Sequence, residues 1–360
     1  MATYRIGDIA PIQQGVVPNN DQYWLLNLDM VESNTGKVLD FLYVDDSQIG
    51  TSTISFDQSN VLYSKLRPYL NKVVLPDRAG YATSEMLPLK PDEKIIIREY
   101  LSYFLRSPHF VNYINEKTSG AKMPRANIAD LKAYEIDCPS VMEQQRIVSQ
   151  FNSISRIIQT RQQQLAALDA LIKARFVETF GTVHNNVFQF AECTLESISD
   201  EFFAGGDKPA DCTTERDEAH PYPVFANGYD NEGLQGYSAK CRVTQPAVTI
   251  SARGTIGYCF IREAGFTPVV RLVTIVPNNK VSPVFLKYAI DTMDIKSSGT
   301  SQAQLTVPDF KRERIIVPPV ELQGQFAAFV SQVDKSKVVI QKALDEAQIL
   351  FDSLMQKYFG

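Results

Sequence analysis

Apolar residues after Glu143 fall at Ile147, Phe151, Ile154, Ile158, Leu165, Leu168 and Ile172, alternating steps of four and three with one polar gap. No Gly or Pro interrupts the stretch before Gly181. Steps of that size keep returning to one face of an α-helix, so the spacing predicts a single long helix with a heptad seam. The pattern recurs from Leu322 to Gly360, where Phe326, Val330, Val333, Ile340, Leu344, Ala347, Phe351 and Leu354 line the seam. A constant shift of 179 residues, without a gap, superposes Gln144 on Gln323, Leu165 on Leu344, Leu171 on Leu350 and Phe180-Gly181 on Phe359-Gly360. The same shift carries Ser119-Gly120 onto Ser298-Gly299, Asp130 onto Asp309, Lys132 onto Lys311 and Pro139 onto Pro318. Chance does not produce such a register, and the chain is a tandem duplication. Two helices with matching seams are expected to pack together. Each seam carries one cation, Arg161 or Lys337, expected to snorkel or to fix register. Dimerisation through the seam is the simpler alternative, although the second partner lies in the same chain.

Ahead of the first helix, short apolar runs such as Tyr23 to Leu28 and Val38 to Val44 are punctuated by turn residues, a mixed strand pattern. A strand at Val61 to Tyr63 is expected to lead through a polar loop into a second, Val73 to Leu75, and Arg98 to Asn115 reads as one amphipathic helix. The second half repeats this order. Leu195-Glu196-Ser197-Ile198 stands where Ile6-Gly7-Asp8-Ile9 stood, strand, loop and strand recur from Ala247 to Gly257, and a helix is expected near Pro283 to Met293. The chain therefore divides into globular parts 1–140 and 182–318, each followed by a long helix, 141–181 and 319–360.

The loops between these elements carry the candidate chemistry. Asn60 to Lys72 holds Ser64, the cations Lys65, Arg67 and Lys72, and Tyr69, with no acid; Ser119 to Asn127 is a second acid-free loop, with Lys122, Arg125 and Asn127. In the second half, Tyr237 to Arg262 has four cations and no acid and includes Ser251, Arg253 and Thr255, while Ser298 to Gln304 supplies Thr300, Ser301, Gln302 and Gln304. Such side chains can donate to phosphates and reach base edges, Arg to guanine and Asn or Gln to adenine. Any one of them alone is as readily a solvated surface residue. The acid-free pairing, placed equivalently in both halves, favours nucleic-acid reading.

Composition narrows the alternatives. Apolar content of 44% and charged content of 21% are ordinary for a protein with sizeable cores, and the net charge of -5 argues against a histone-like binder while leaving room for a local basic groove. No apolar run reaches membrane-spanning length and the start has no signal-peptide pattern, so a cytoplasmic location without membrane contact is expected. Five scattered cysteines form no C-x-x-C pair, and the three histidines share no metal-ligand spacing, so neither a disulfide framework nor a metal site is signalled. P-loop, dinucleotide-binding and nucleophile-elbow motifs are absent from the sequence. Adjacent Asp45-Asp46 would point to opposite faces of a strand and reads as solvated charge. No catalytic residue is assigned.

Taken in order, these features resemble the DNA-specificity (S) subunits of type I restriction-modification systems. The residues carrying the resemblance are Tyr63 to Pro68 and Ile250 to Gly257, similar to the family's strand-turn signature, and Cys138 to Ile147, similar to the proline-to-helix approach of its long helices. The second approach keeps Pro318 and Gln323 but has Gly324 where the first has Gln145. The resemblance implies an α+β protein. Two similar mixed target-recognition domains would alternate with two long helices packed as an antiparallel coiled coil, a pseudo-two-fold repeat. It further implies that each domain reads one half of a split double-stranded DNA site. The helix pair would set the spacing and dock two methyltransferase subunits, which would bind S-adenosylmethionine and flip the target adenines; this chain would bind no cofactor. A motor-nuclease subunit could join them. Helix faces around Gln144, Arg146, Arg156, Gln163, Gln323 and Lys335 are the expected partner contacts. Two rival readings are a modification enzyme fused to its reader, against which the missing motifs count, and a non-catalytic coiled-coil scaffold whose domains bind protein or RNA.

Overall fold

In a computed structural model, residues 2–120, 122–254, 256–293, 295 and 305–360 are described. The chain forms two compact units, one of Met1–Gln162 with Lys342–Gly360 and the other of Gln163–Gln341. Each long helix is one run of 40 residues, Val141–Phe180 and Val320–Phe359, related at both ends by the shift that relates the two sequences. Both units therefore contain half of each helix.

The first unit is closed by the strand Ala2–Arg5, antiparallel to Glu135–Cys138 immediately before the helix. Between them lie a three-stranded sheet, ordered Val73–Val74, Val61–Ser64, Met86–Leu89, and a four-stranded sheet, ordered Leu42–Val44, Tyr23–Leu26, Gly80–Thr83, Thr53–Phe56. Val61–Ser64 is buried at every position. Its alternation feeds two cores: Val61 and Tyr63 join the main cluster, and Leu62 joins a smaller one with Trp24, Leu26 and Phe56. The single helix expected over Arg98 to Asn115 is two, Arg98–Leu105 and Pro108–Glu116. Pro108 lacks the N–H that a continuing helix needs, so it starts a new one, capped by Ser107, whose Oγ accepts from the Phe110 N–H at 3.3 Å.

The second unit repeats the closure with Ala191–Thr194 antiparallel to Arg314–Val317. Its larger sheet is ordered Ser199–Ala204, Val273–Pro277, Ala247–Ile250, Cys259–Arg262, and its smaller one Leu234–Ser238, Tyr222–Phe225, Thr267–Pro268. Ala247–Ile250 is buried throughout, as Val61–Ser64 is in the first unit, and the helix Pro283–Asp291 packs above it.

The expected seams are buried or half-buried in both units. In the first, Phe151 lies 4.7 Å from Tyr103, 5.3 Å from Phe351 and 5.7 Å from Phe359, ring centre to ring centre, and the Tyr358 hydroxyl donates to Gln150 at 3.1 Å. In the second, Phe176 lies 5.4 Å from Phe326 and 5.5 Å from Phe285, and the Lys337 ammonium donates to Asp169 on the facing helix at 2.7 Å. In each unit the early part of one helix meets the late part of the other, so the pairing is antiparallel. Lys337 thus pairs across the two helices. Among the described residues no helix is long and apolar enough to cross a membrane.

Candidate nucleic-acid interface

In the first unit the two basic loops, some 60 residues apart in sequence, are tied side by side. The Ala126 N–H donates to the Lys65 carbonyl at 2.8 Å and the Arg67 N–H to the Pro124 carbonyl at 2.7 Å. Arg67 takes the left-handed conformation, φ 48°, at the start of the short turn Pro68–Leu70, and is exposed. A non-glycine residue adopts that conformation at a cost, which a buried strand on one side and a tied loop on the other sustain here. Its guanidinium has no partner among the described residues. Tyr69 is 52% exposed beside it, and Lys122 is exposed on the second loop.

Acid-free in sequence is not acid-free in space. Glu85, from the turn before the strand Met86–Leu89, accepts from Arg125 Nη2 at 2.8 Å and Nε at 3.1 Å, with the Lys65 ammonium 3.9 Å away. The Arg125 bonds, with Lys65 adding charge attraction, hold the Glu85 carboxyl below its usual range. Three further expectations need correction. Ser64 is buried, its hydroxyl donating to the Leu66 carbonyl at 3.0 Å. Half-buried Lys72 donates to the Leu28 carbonyl at 2.7 Å, and the Asn127 side-chain Oδ1 caps the helix Ile128–Ala133 by accepting from the Ala129 N–H. These residues shape the loops and do not tip them.

The second unit builds the corresponding turn differently. The Leu305 N–H donates to the Ala252 carbonyl at 3.2 Å, the counterpart of the tie from Ala126 to Lys65. Ser251, expected to face nucleic acid, is buried, with its hydroxyl accepting from the Gly228 N–H at 3.2 Å. The Ala252 N–H donates to the Asn227 side-chain Oδ1 at 2.7 Å, and the Ser251 backbone pairs with Tyr258 and Gly257 to close the turn. Arg253 stands exposed on that turn, without a partner among the described residues, next to Gly254 at φ 68°. Acids from outside the segment again neutralise cations: Arg242 pairs with Glu201 at 2.7 Å and buried Arg262 with Glu232 at 2.8 Å. Thr255, Thr300, Ser301, Gln302 and Gln304 lie outside the described residues. Sequence reading missed Glu85, which gives no signal because its partners come from other segments.

The expected partner face is corrected at two positions. Gln144 and Gln323 are fully buried. Gln144 Nε2 donates to the carbonyls of Ile95 (2.7 Å) and Pro139 (2.9 Å), and its Oε1 accepts from the Ile97 N–H at 3.0 Å. Gln323 makes the same three bonds, to Lys280 (2.9 Å), Pro318 (2.9 Å) and Ser282 (2.8 Å). Each amide brackets the start of a long helix to the residues that begin the helix Arg98–Leu105 or Pro283–Asp291. Both acceptor and donor capacity of the amide are used, which no hydrocarbon of that size could supply. Arg146, Arg156, Gln163 and Lys335 are exposed. Arg146 is drawn to Glu143 at 2.8 Å, and Arg156 lines a groove of about 560 Å³ with Glu93, Glu99, Gln145 and Asn152.

The fold defines a duplicated α+β protein whose loop-tipped modules alternate with paired long helices. The family profile described as the type I restriction modification DNA specificity domain matches residues 1–170 and 197–348, and the chain belongs to that family. It is a type I specificity subunit, which recognises DNA sequence. A Mycoplasma pneumoniae chain described as a type I specificity subunit, S.MpnORF507P, is 25% identical over 339 residues, covering 91% of this chain and 87% of that one. A second from the same organism, S.MpnORF89P, is 37% identical over 136 residues, 38% of this chain and 41% of that one. Among solved structures, the S subunit of a type I restriction-modification system from M. genitalium superposes with TM-score 0.62 at 17% identity, covering all of this chain and 96% of that one. A chain from work on assembly and conformational transition of the type I system gives 0.60 at 18% identity, covering 99% and 97%.

Proposed function

We propose that each globular part reads one half of a bipartite double-stranded DNA site, that the helices set the gap between the halves, and that their exposed faces dock two methyltransferase subunits. One observation carries the reading: each unit presents an exposed arginine, Arg67 or Arg253, without a side-chain partner among the described residues, on an equivalent turn that follows a fully buried strand. A guanidinium held out by a rigid scaffold is suited to bidentate contact with guanine in the major groove. Arg125, Lys122 and Tyr69 flank the first arginine. S-adenosylmethionine and the adenine chemistry belong, on this reading, to the partner subunits, and a motor-nuclease subunit joins them for restriction. Arg146, Arg156, Gln163 and Lys335 remain the proposed docking residues; Gln144 and Gln323 are withdrawn.

Forty helical residues rise about 60 Å, against about 34–36 Å for one DNA turn, so the two halves are separated by unread base pairs. Methylome sequencing of a host carrying this chain with its methyltransferase partner tests the reading. Two short half-sequences separated by a fixed unread gap are expected, and a continuous site would overturn it. Inserting four residues after Leu165 lengthens the ruler by about 6 Å and should widen the gap by one or two base pairs.

A further inference from the structure

The turn Tyr229 to Gly233 in the second unit is held by unusually strong restraints. Asn231 and Glu232 are consecutive non-glycine residues in the left-handed region, φ 46° and 53°. Gly233 follows at φ 79°, where a Cβ would meet the Ala226 carbonyl oxygen at 2.2 Å. Left-handed pairs of this kind persist only where their surroundings impose them, and they concentrate at functional surfaces. Here the restraint is Arg262. Its side chain is 3% exposed: Nη1 donates to the Glu232 carboxylate at 2.8 Å, Nη2 to the Glu232 carbonyl at 2.5 Å, Nε to Thr249 Oγ1 at 2.9 Å, and the guanidinium lies 3.7 Å from the Phe225 ring centre and 4.9 Å from that of Phe260. Burial lowers the affinity of this guanidinium for its proton, and Glu232 partly restores it. Burying a cation beneath a surface turn is a costly way to secure a loop that any polar residue could leave mobile.

What the turn holds in place is Tyr229. Its side chain is 61% exposed, its ring lies 4.7 Å from that of Tyr258, and its neighbours Asn227 and Gly228 bond directly to Ala252 and Ser251. Tyr229 therefore stands beside the turn that carries Arg253. We propose that Tyr229 is a further specificity-determining residue of the second half-site, its ring packing on a base edge next to the base read by Arg253, with Arg262 and Glu232 as positioning residues. A flat aromatic face on a locked turn suits apolar contact with a thymine methyl group, which hydrogen-bonding arginine cannot provide. In the first unit Tyr69 lies two residues after Arg67, so the same pair of side-chain types is supplied there from one loop.

The inference rests on the half-site reading above, and the test separates the two. The full chain is produced with its methyltransferase subunits, and methylomes are recorded for the parent and for Tyr229→Ala, Tyr229→Phe, Glu232→Ala, the double variant Tyr229→Ala/Glu232→Ala, Arg253→Ala and Arg67→Ala. Tyr229→Ala should lose about five- to tenfold of base discrimination at one or two positions of the half affected by Arg253→Ala, leaving the Arg67 half intact. Tyr229→Phe should behave as the parent, because the ring makes the contact. Glu232→Ala should relax the same positions, and the double variant should be no worse than Tyr229→Ala, as expected when one residue acts through the other. A purely structural role for Glu232 would lower methylation with both halves unchanged in sequence, and that result overturns the positioning assignment. If Arg253→Ala moves its half and Tyr229→Ala leaves every position unchanged, the tyrosine assignment fails alone. If neither arginine variant alters a half-site, the half-site reading fails and the inference with it.

Discussion

The two globular parts agree where they meet the long helices and differ where they face outward. At the inner end, Gln144 and Gln323 make the same three hydrogen bonds, Phe151 and Phe326 sit at the centre of aromatic clusters, and the closing strands Glu135–Cys138 and Arg314–Val317 are related by the same shift as the helices. At the outer end, one unit tips its turn with Arg67, Tyr69 and an Arg125–Glu85 pair, and the other with Arg253 and a Tyr229 held by a buried Arg262. The tie from the strand-following turn to the loop before the next helix persists in both, as Ala126 to Lys65 and Leu305 to Ala252. The shared frame is common to both halves, and the loops that tip them differ.

Breaking the shared frame should have the largest effect. Phe176→Ala removes a ring that is 1% exposed and packed on Phe180, Phe285 and Phe326, and should destabilise by about 3–5 kcal/mol in chemical denaturation. Phe151→Ala in the first unit should cost a comparable amount. Gln144→Leu leaves two carbonyls and one N–H without a partner in a buried site, and should cost about 3 kcal/mol. Gln323→Leu should match it within about 1 kcal/mol, since the bracket is the same. A large difference between the two would mean that the frames are equal in geometry but not in energy.

Much of this frame was legible in the sequence because it is periodic and duplicated. The seam predicted one long helix in each half, and the 179-residue shift fixed both ends of the observed 40-residue helices to within two residues. The strands Val61–Ser64 and Ala247–Ile250 announced themselves by continuous apolar runs. Gln144 and Gln323, expected at the partner face, superpose under the same shift and are buried. A polar residue kept at one position of both copies, while its neighbour changes from Gln145 to Gly324, is better explained by a buried bracket. Candidate site residues were less legible: a stretch without acids looks basic until a distant segment brings one, as Glu85 does to Lys65 and Arg125 and Glu232 does to Arg262. Side chains such as Ser64, Ser251 and Lys72 have the right chemistry for DNA, and only their burial or backbone bonds exclude them.

Smaller effects sharpen the outer comparison. Glu85→Gln frees Arg125 and Lys65, so the first unit should bind random duplex several-fold more tightly and with a salt dependence steeper by about one phosphate contact. The second unit has no equivalent change at that site. The sign with pH is set by the lowered Glu85 carboxyl: the stabilisation from its ion pairs is present above the ordinary glutamate range, about pH 4.3, and is lost as pH falls through the lowered value. Denaturation midpoints of parent and Glu85→Gln should therefore converge on acidification below about pH 4.

The most direct measurement is a pair of methylomes, from Arg67→Ala and Arg253→Ala chains assembled with their methyltransferase partner. Each arginine is exposed and outside the shared frame, so assembly and the unread gap should be preserved. Each variant should relax base preference in a different half of the recognised sequence, a loss of about 1–3 kcal/mol of discrimination confined to that half. Uniform loss of methylation across both halves from either variant would contradict two independent readers on one duplicated frame.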